Sequence, residues 1–177
     1  PKQDIVLHQS RLEDHTDGLL ALSGAQQSDI GSCLIDGDSE AANKCLQRWK
    51  SIFPTSFYLE VQRLGKPDEE HYIDSVVELA IETETPVVAT NDVRFLSEED
   101  FEAHEVRVCI NERRNLDDPR RSRNYSDQQY LKSSQEMCDL FRDIPGAISN
   151  SLEIVKRCNL QLKLGKPHLP QYPVPSG

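Results

Sequence analysis

Three short apolar runs, separated by stretches of helical periodicity, constrain this chain most. They are Leu19-Leu20-Ala21-Leu22, the alternating stretch Ser56 to Gln62, and Val87-Val88-Ala89 after Pro86. The first and third are continuous and too short for helices, which suits strands buried on both faces. In the second, Phe57, Leu59 and Val61 fall on one side and Tyr58, Glu60 and Gln62 on the other, so one face is polar. Between the first two runs a short helix is expected over Ser28–Ile35. Ser39 is then placed to cap a helix running to about Phe53, with Ala42, Cys45, Leu46, Trp49 and Phe53 on one face. Before the third run, Asp68 is placed to cap a helix whose buried stripe is Ile73, Val76, Val77, Ala80 and Ile81. Pro54 and Pro86 stop these two helices. The order strand, helices, strand, helix, strand predicts a parallel α/β arrangement.

The third run leads through Thr90 to Asn91-Asp92-Val93-Arg94. In parallel sheets and barrels the working site lies at the carboxyl ends of the strands, which is where Asn91 and Asp92 fall. Glu60, on the polar face of the second strand, could line the mouth of a closed barrel. The alternative is that Asn-Asp supplies turn chemistry alone.

Farther on, Ser97-Glu98-Glu99-Asp100 has the spacing of a helix-entry box, and the helix it starts carries Phe101, His104 and Val108 on one side. A lone histidine on such a face is more often a hydrogen-bonded core residue than a ligand. Residues 113–123 hold Arg113, Arg114, Arg120, Arg121 and Arg123, interrupted by Asp117, Asp118 and Pro119. This is an exposed loop, either paired internally or contacting phosphate or a neighbouring domain. Ser126–Gln129 and Ser133–Glu136 read as two capping boxes opening two short helices, the second burying Met137, Leu140 and Phe141. Pro145 opens a third helix with the stripe Ile148, Leu152 and Val155. Leu160 to Leu164 alternates as a half-exposed edge strand, and 165–177 is a proline-rich connector.

A length of 177 residues suits one domain. The net charge of −10 argues against a surface that binds nucleic acid throughout, but the charge is uneven. Residues 1–100 carry 8 Lys and Arg against 20 Asp and Glu, a net of −12, and residues 101–177 carry 12 against 10, a net of +2. Five separated cysteines without a Cys-x-x-Cys pair favour buried thiols in a reducing cytoplasm. No run approaches membrane length, so no membrane partner is expected. Phosphate-cradling glycine loops, a nucleophile elbow and metal-ligand histidine spacing are all lacking from the sequence. A first residue Pro1 and a single internal methionine, Met137, suggest a piece of a longer protein, with residues 1–17 the ragged start of a truncated domain.

Several stretches in order carry a family resemblance: Gly18–Gly24 with Asp29-Ile30-Gly31, Phe57–Arg63, Val87–Phe95, Asp100–Glu105, Asp117–Arg121, Gln129-Tyr130, Asp143-Ile144-Pro145 and Leu169-Pro170. Together they make the chain resemble the back part of the PHP (polymerase and histidinol phosphatase) domain of bacterial replicative DNA polymerase III α subunits. The resemblance implies a partial, distorted (β/α)7 barrel with a helical C-terminal part over 18–164, and a connector at 165–177 leading to the polymerase palm. It implies a parent DNA-directed DNA polymerase of chromosomal replication, a nucleotidyltransferase whose Mg and catalytic carboxylates lie outside this segment. Metal-binding members of the family gather a cluster at the strand ends, associated with 3′–5′ exonuclease activity. Where they carry a cysteine this chain has Ala25, and where they carry a histidine it has Arg94; Asp92 remains as a vestigial ligand. A methyl group and a guanidinium cannot ligate a metal, so no cofactor is expected in the segment. The implied role is a non-catalytic scaffold that supports the polymerase and docks a proofreading exonuclease subunit. Its other partners would be the rest of the α subunit, the replicase holoenzyme and, through the parent chain, DNA. The alternative is a metal-dependent phosphoesterase or 3′–5′ exonuclease using a rearranged site.

Overall fold

A computed structural model describes residues 11–13, 15–162 and 164–167. Its sheet is parallel throughout, in the order β1 (Ala21–Leu22), β2 (Phe57–Val61), β3 (Val87–Ala89). Ala21 lies opposite Phe57, and Leu59 opposite Val87. The connections are α1 (Asp29–Ile35) and α2 (Ser39–Ile52) between β1 and β2, then α3 (Glu69–Thr83) between β2 and β3. After β3 come α4 (Phe101–Glu112), α5 (Ser134–Leu140) and α6 (Pro145–Arg157). This is the expected α/β alternation, consistent with a partial PHP-type fold. The first strand is shorter than expected, Leu19 and Leu20 lying outside it.

The core lies between the sheet and its helices. Ile30, Leu46, Leu59, Val61, Tyr72, Ile73, Val76 and Phe141 are all buried there. Tyr72 and Leu79 take the place expected for Ile81, which is 74 % exposed on α3. Two helix caps differ from expectation. Asp38, not Ser39, caps α2, its Oδ1 accepting from the Ala41 N–H at 2.9 Å. Asp68 sits in the left-handed region at φ 58° and its side chain caps nothing.

Glu69 does the polar work at the start of α3 instead. Its carboxylate accepts the backbone N–H groups of Leu64 at 2.7 Å and Gly65 at 3.1 Å, with Lys66 at 3.4 Å. The residue is 8 % exposed, so those bonds hold the tight turn against the protein interior. Glu69→Gln, which keeps one good acceptor and sets an amide against backbone donors, is expected to cost about 1.5 kcal/mol. In a circular-dichroism melt that is a Tm lower by roughly 3–6 °C; an unchanged Tm would refute the assignment.

The C-terminal half departs most from expectation. Ser126–Gln129 forms only half of its box, Gln129 Oε1 accepting from the Ser126 N–H at 2.9 Å while the Ser126 hydroxyl donates to the Leu64 carbonyl at 2.6 Å, and it makes a turn rather than a helix. The box at Ser133 and Glu136 does open α5. On α6, Ile148 packs against the core as expected, but Leu152 and Val155 are 63 % and 68 % exposed, so the rest of the apolar stripe does not face it. The buried face is Ala147 with Asn150 and Ser151. Asn150 donates to the Val87 carbonyl at 2.7 Å and Ser151 to the Ala89 carbonyl at 3.1 Å. Those carbonyls lie along β3 at the edge of the sheet, and satisfying a strand edge outranks hiding two aliphatic side chains. Arg157 fastens the other end of α6, donating to the Thr55 carbonyl at 3.2 Å and the Tyr58 hydroxyl at 2.9 Å.

Residues 160–162 form no strand, and Lys163 lies outside the described residues. So do residues 1–10 of the expected ragged start and 168–177 of the expected connector. All five thiols are free; Cys109 is buried and Cys33 and Cys45 are half-buried, whereas Cys138 and Cys158 are exposed. No described helix is long and apolar enough to cross a membrane.

Candidate functional site

The carboxyl ends of the three strands meet at Glu60. β1 leaves the sheet through Ser23-Gly24-Ala25, and Gly24 and Ala25 both take left-handed backbone angles, φ 89° and 51°. That turn aims the Gly24 N–H at Glu60 Oε2, 3.1 Å away. Glu60 Oε1 accepts from the Gln62 amide at 3.1 Å and from the Thr90 hydroxyl. The Glu60 backbone joins the same network, its N–H donating to Ser23 Oγ at 2.9 Å and its carbonyl accepting from the Tyr72 hydroxyl at 2.7 Å. Burial pushes the Tyr72 phenol above its ordinary pKa, keeping it a neutral donor. Glu60 therefore ties together the ends of β1, β2 and β3. Ala25, 3 % exposed beside this knot, offers only a methyl group.

A second cluster forms past the end of β3. Asp92 pairs with Arg94, whose Nη2 lies 2.8 Å from Oδ1 and 3.0 Å from Oδ2. Gln129 completes the carboxylate's shell, its Nε2 donating to Asp92 Oδ2 at 2.7 Å. Gln129 is fully buried, and the Arg94 N–H donates back to its carbonyl at 2.8 Å. Asn91 works alongside: its amide donates to the Tyr130 carbonyl at 2.6 Å. The strand-end segment is thus sewn to residues 129–130. Gln129 stood out in the sequence as part of the resemblance stretch Gln129-Tyr130 and of the Ser126–Gln129 box, but not as a partner of Asp92.

Beyond Arg94 the wall is aromatic. The guanidinium lies 5.4 Å from the centre of the Tyr125 ring, and Tyr125 meets His104 edge-on at 4.6 Å. His104 also lies 5.4 Å from Phe95. Burial first, then Arg107 and Arg94, hold the His104 pKa below its ordinary value, so the imidazole is neutral near pH 7. It is a buried ring, as expected, although its Nδ1 has no hydrogen-bond partner among the described residues.

The donors present do not suit a metal. Asp92 is paired with a guanidinium and accepts from a side-chain amide, Glu60 accepts from three neutral donors, and neither Ala25 nor Arg94 can donate an electron pair to a metal. Among the described residues no group of three or more His, Cys, Asp or Glu converges as a cation site.

The arginine loop folds back on α4. Arg113 caps that helix in a left-handed conformation, φ 56°. Arg120 grips Asp118 through Nε at 3.0 Å and Nη2 at 2.9 Å, and Arg114 adds a contact to Asp118 at 3.5 Å. The hydrogen bonds from Arg120 hold the Asp118 carboxyl below the usual carboxylate range. Arg121 is no surface cation: it pairs with Glu105, both side chains nearly buried, and next to it Ser122 donates to Glu112. Arg113 and Arg123 are exposed and meet no carboxylate within ion-pair distance among the described residues.

The geometry can be set beside known proteins. Residues 2–64 match the PHP domain family. DNA polymerase III subunit alpha of Pseudomonas aeruginosa is 50% identical over 174 residues, which is 98% of this chain and 15% of the relative. The subunit alpha of Escherichia coli is 48% identical over 168 residues, and that of Vibrio cholerae 45% over 168, each covering 95% of this chain and 14% of the relative. The chain thus spans about one-seventh of the length of these relatives. Over nearly all of its own length it is a homologue of one segment of DNA polymerase III subunit alpha, a segment whose first part matches the PHP domain family.

Proposed function

We propose that this chain is part of a replicative DNA-directed DNA polymerase and that, within it, the segment is a non-catalytic scaffold. One observation carries the scaffold reading: the Asp92–Arg94 pair, closed by Gln129, occupies the strand end where a catalytic cation would be held. A guanidinium 2.8 Å from the carboxylate supplies a permanent positive charge and, unlike a metal ion, offers no coordination position to a substrate. Nucleotidyl transfer, with its Mg ions, belongs on this reading to a palm domain elsewhere in the parent. The outer surface of the segment would dock a proofreading 3′–5′ exonuclease subunit, in keeping with the family type it resembles. Arg113 and Arg123, left outward by the paired loop, are the side chains available for phosphate or a neighbouring domain.

The test is metal content of the full-length subunit purified without chelator, for wild type and for the double variant Arg94→His, Ala25→Cys. The wild type is expected to carry no stoichiometric metal at this site, and the double variant, which restores two donors beside Asp92, to gain zinc or manganese. Stoichiometric metal in the wild type, with a metal-dependent 3′–5′ exonuclease activity lost on Asp92→Ala, would replace the scaffold by a phosphoesterase site.

A further inference from the structure

We propose that the cleft between α4 and the returning loop at 120–125 binds a phosphate oxyanion, with Arg107 as its principal charge. The cleft is lined by Arg94, His104, Arg107, Asn111, Asn124 and Tyr125, with the Glu112 carboxylate also in its wall, and an adjoining recess shares Arg94, His104 and Arg107 with it. Two guanidiniums thus share this lining with one buried, neutral imidazole whose Nδ1 has no partner among the described residues.

Of the carboxylates nearby, Asp92 is balanced by a cation, whereas Asp100 and Glu112 accept from serines and keep their charge. Asp92 is held by Arg94 and Gln129, Asp100 by Ser97, and Glu112 by Ser122. Arg107 meets no carboxylate within 4 Å among the described residues. Arg94 uses Nη2 alone on Asp92, so Nε and Nη1 stay unspent over the Tyr125 ring. The exposed amides of Asn111 and Asn124 make no side-chain hydrogen bond among the described residues. The cleft thus gathers more N–H donors than one carboxylate can accept, and a tetrahedral oxyanion with several free oxygens uses them better. In a chain of net charge −10, Arg107 is the guanidinium of this cleft that no carboxylate balances within 4 Å among the described residues. The cleft shares Arg94 with the pair that carries the scaffold reading, so its test uses Arg107 and Asn124 and leaves Arg94 and Asp92 untouched.

Two sources share this chemistry, free phosphate and the backbone phosphate of a nucleic acid. The full-length subunit is titrated with inorganic phosphate by calorimetry and with a single-stranded oligodeoxynucleotide over a range of salt. Wild type, Arg107→Ala and Asn124→Ala are compared, and Arg48→Ala, on an exposed residue paired with Asp29 away from the cleft, is the control. Arg107→Ala is expected to weaken inorganic phosphate about tenfold and Asn124→Ala about threefold, with Arg48→Ala unchanged. If backbone phosphate is the source, Arg107→Ala also lowers the slope of log affinity against log salt by about 1. If free phosphate is the source, that slope stays the same while the phosphate affinity falls. Failure of Arg107→Ala to change either quantity overturns the proposal. So does equal competition by a glutamate-rich peptide, which would reassign the cleft to an acidic protein segment. Arg107 is exposed, and an unchanged melt of the variant separates loss of binding from loss of fold.

Discussion

Gly31→Ala is expected to destabilise the chain by about 3 kcal/mol, against the sign that helix propensity gives. Gly31 lies inside α1, where alanine is the better helix former by about 1 kcal/mol. A Cβ built there would lie 2.4 Å from the Ala25 carbonyl oxygen and 2.6 Å from that of Gln26. Both are backbone atoms, so a rotamer change cannot relieve the clash. The Ala25 carbonyl is also anchored, accepting from the Ser28 N–H at 3.2 Å and the Ser28 hydroxyl at 2.7 Å, while Ser28 Oγ caps α1 by accepting from the Gly31 N–H at 2.9 Å. Overpacking of this kind costs about 1–3 kcal/mol, and moving the turn away gives up capping bonds worth about 1 kcal/mol each. The clash wins over the propensity gain. Trp49, the chain's single tryptophan, stacks on Phe57 and donates to Asp29 at the start of α1, so its fluorescence in urea reports on this region. A midpoint equal to or above wild type would show that the turn gives way freely. The turn that must move also carries the Gly24 N–H to Glu60, so the substitution loosens the strand-end knot as well.

The first half of the fold was legible because its signals are local. The alternation of 57–61 and the proline before 87 place β2 and β3 within a residue, and the expected parallel order follows from the helices between them. Pro145 is the first residue of α6 for the same reason, a fixed φ and no N–H to lose. The expectations that failed depended on distant partners. Asp68 has a capping residue's chemistry, but the chain turns left-handed there and Glu69 supplies the acceptor. The α6 stripe has helical spacing and Ile148 keeps to it, but beyond that the carbonyls of β3 take Asn150 and Ser151 and leave Leu152 and Val155 outside.

The candidate site divides in the same way. Asp92, Arg94 and Glu60 were placed at strand ends by the pattern of their own neighbourhoods. The role of Gln129, 37 residues from Asp92, was invisible because it exists only once the turn at 126–129 docks against the segment that follows β3. Arg121 was hidden by its company. Five arginines in a loop read as a solvated surface, and only the fold shows that one of them is buried against Glu105.

Arg63→Ala should likewise lower stability at pH 7 by about 3 kcal/mol, because one half-buried guanidinium holds two carboxylates and a carbonyl. Its Nε and Nη2 each lie 2.9 Å from Glu70, Nη1 and Nη2 lie 2.7 and 2.8 Å from Asp143, and Nη1 also donates to the Leu140 carbonyl. The plane sits 5.2 Å from the ring of the fully buried Phe141. Glu70 and Asp143 are more than half exposed and regain water when Arg63 is removed, which keeps the cost below that of a wholly buried pair. Arg63→Lys should recover little, since an ammonium cannot fork to two carboxylates. The pH dependence separates charge from packing. The bonds from Arg63 hold the Asp143 pKa below its ordinary value, so the stability they confer is complete above the unfolded carboxyl pKa, about 3.9. It is lost as pH falls through the lower folded value. The gap between wild type and Arg63→Ala in urea, read by Trp49, should therefore narrow below about pH 4. A gap that stays constant to pH 2 would assign the effect to packing on Phe141, and a gap under about 0.5 kcal/mol at pH 7 would remove Arg63 from the frame altogether. The effect is large because of what the residue joins. Arg63 leaves the end of β2, Leu140 and Asp143 lead into α6, and α6 satisfies the edge of β3, so this one side chain sets the helical half against the sheet that presents Glu60 and Asp92.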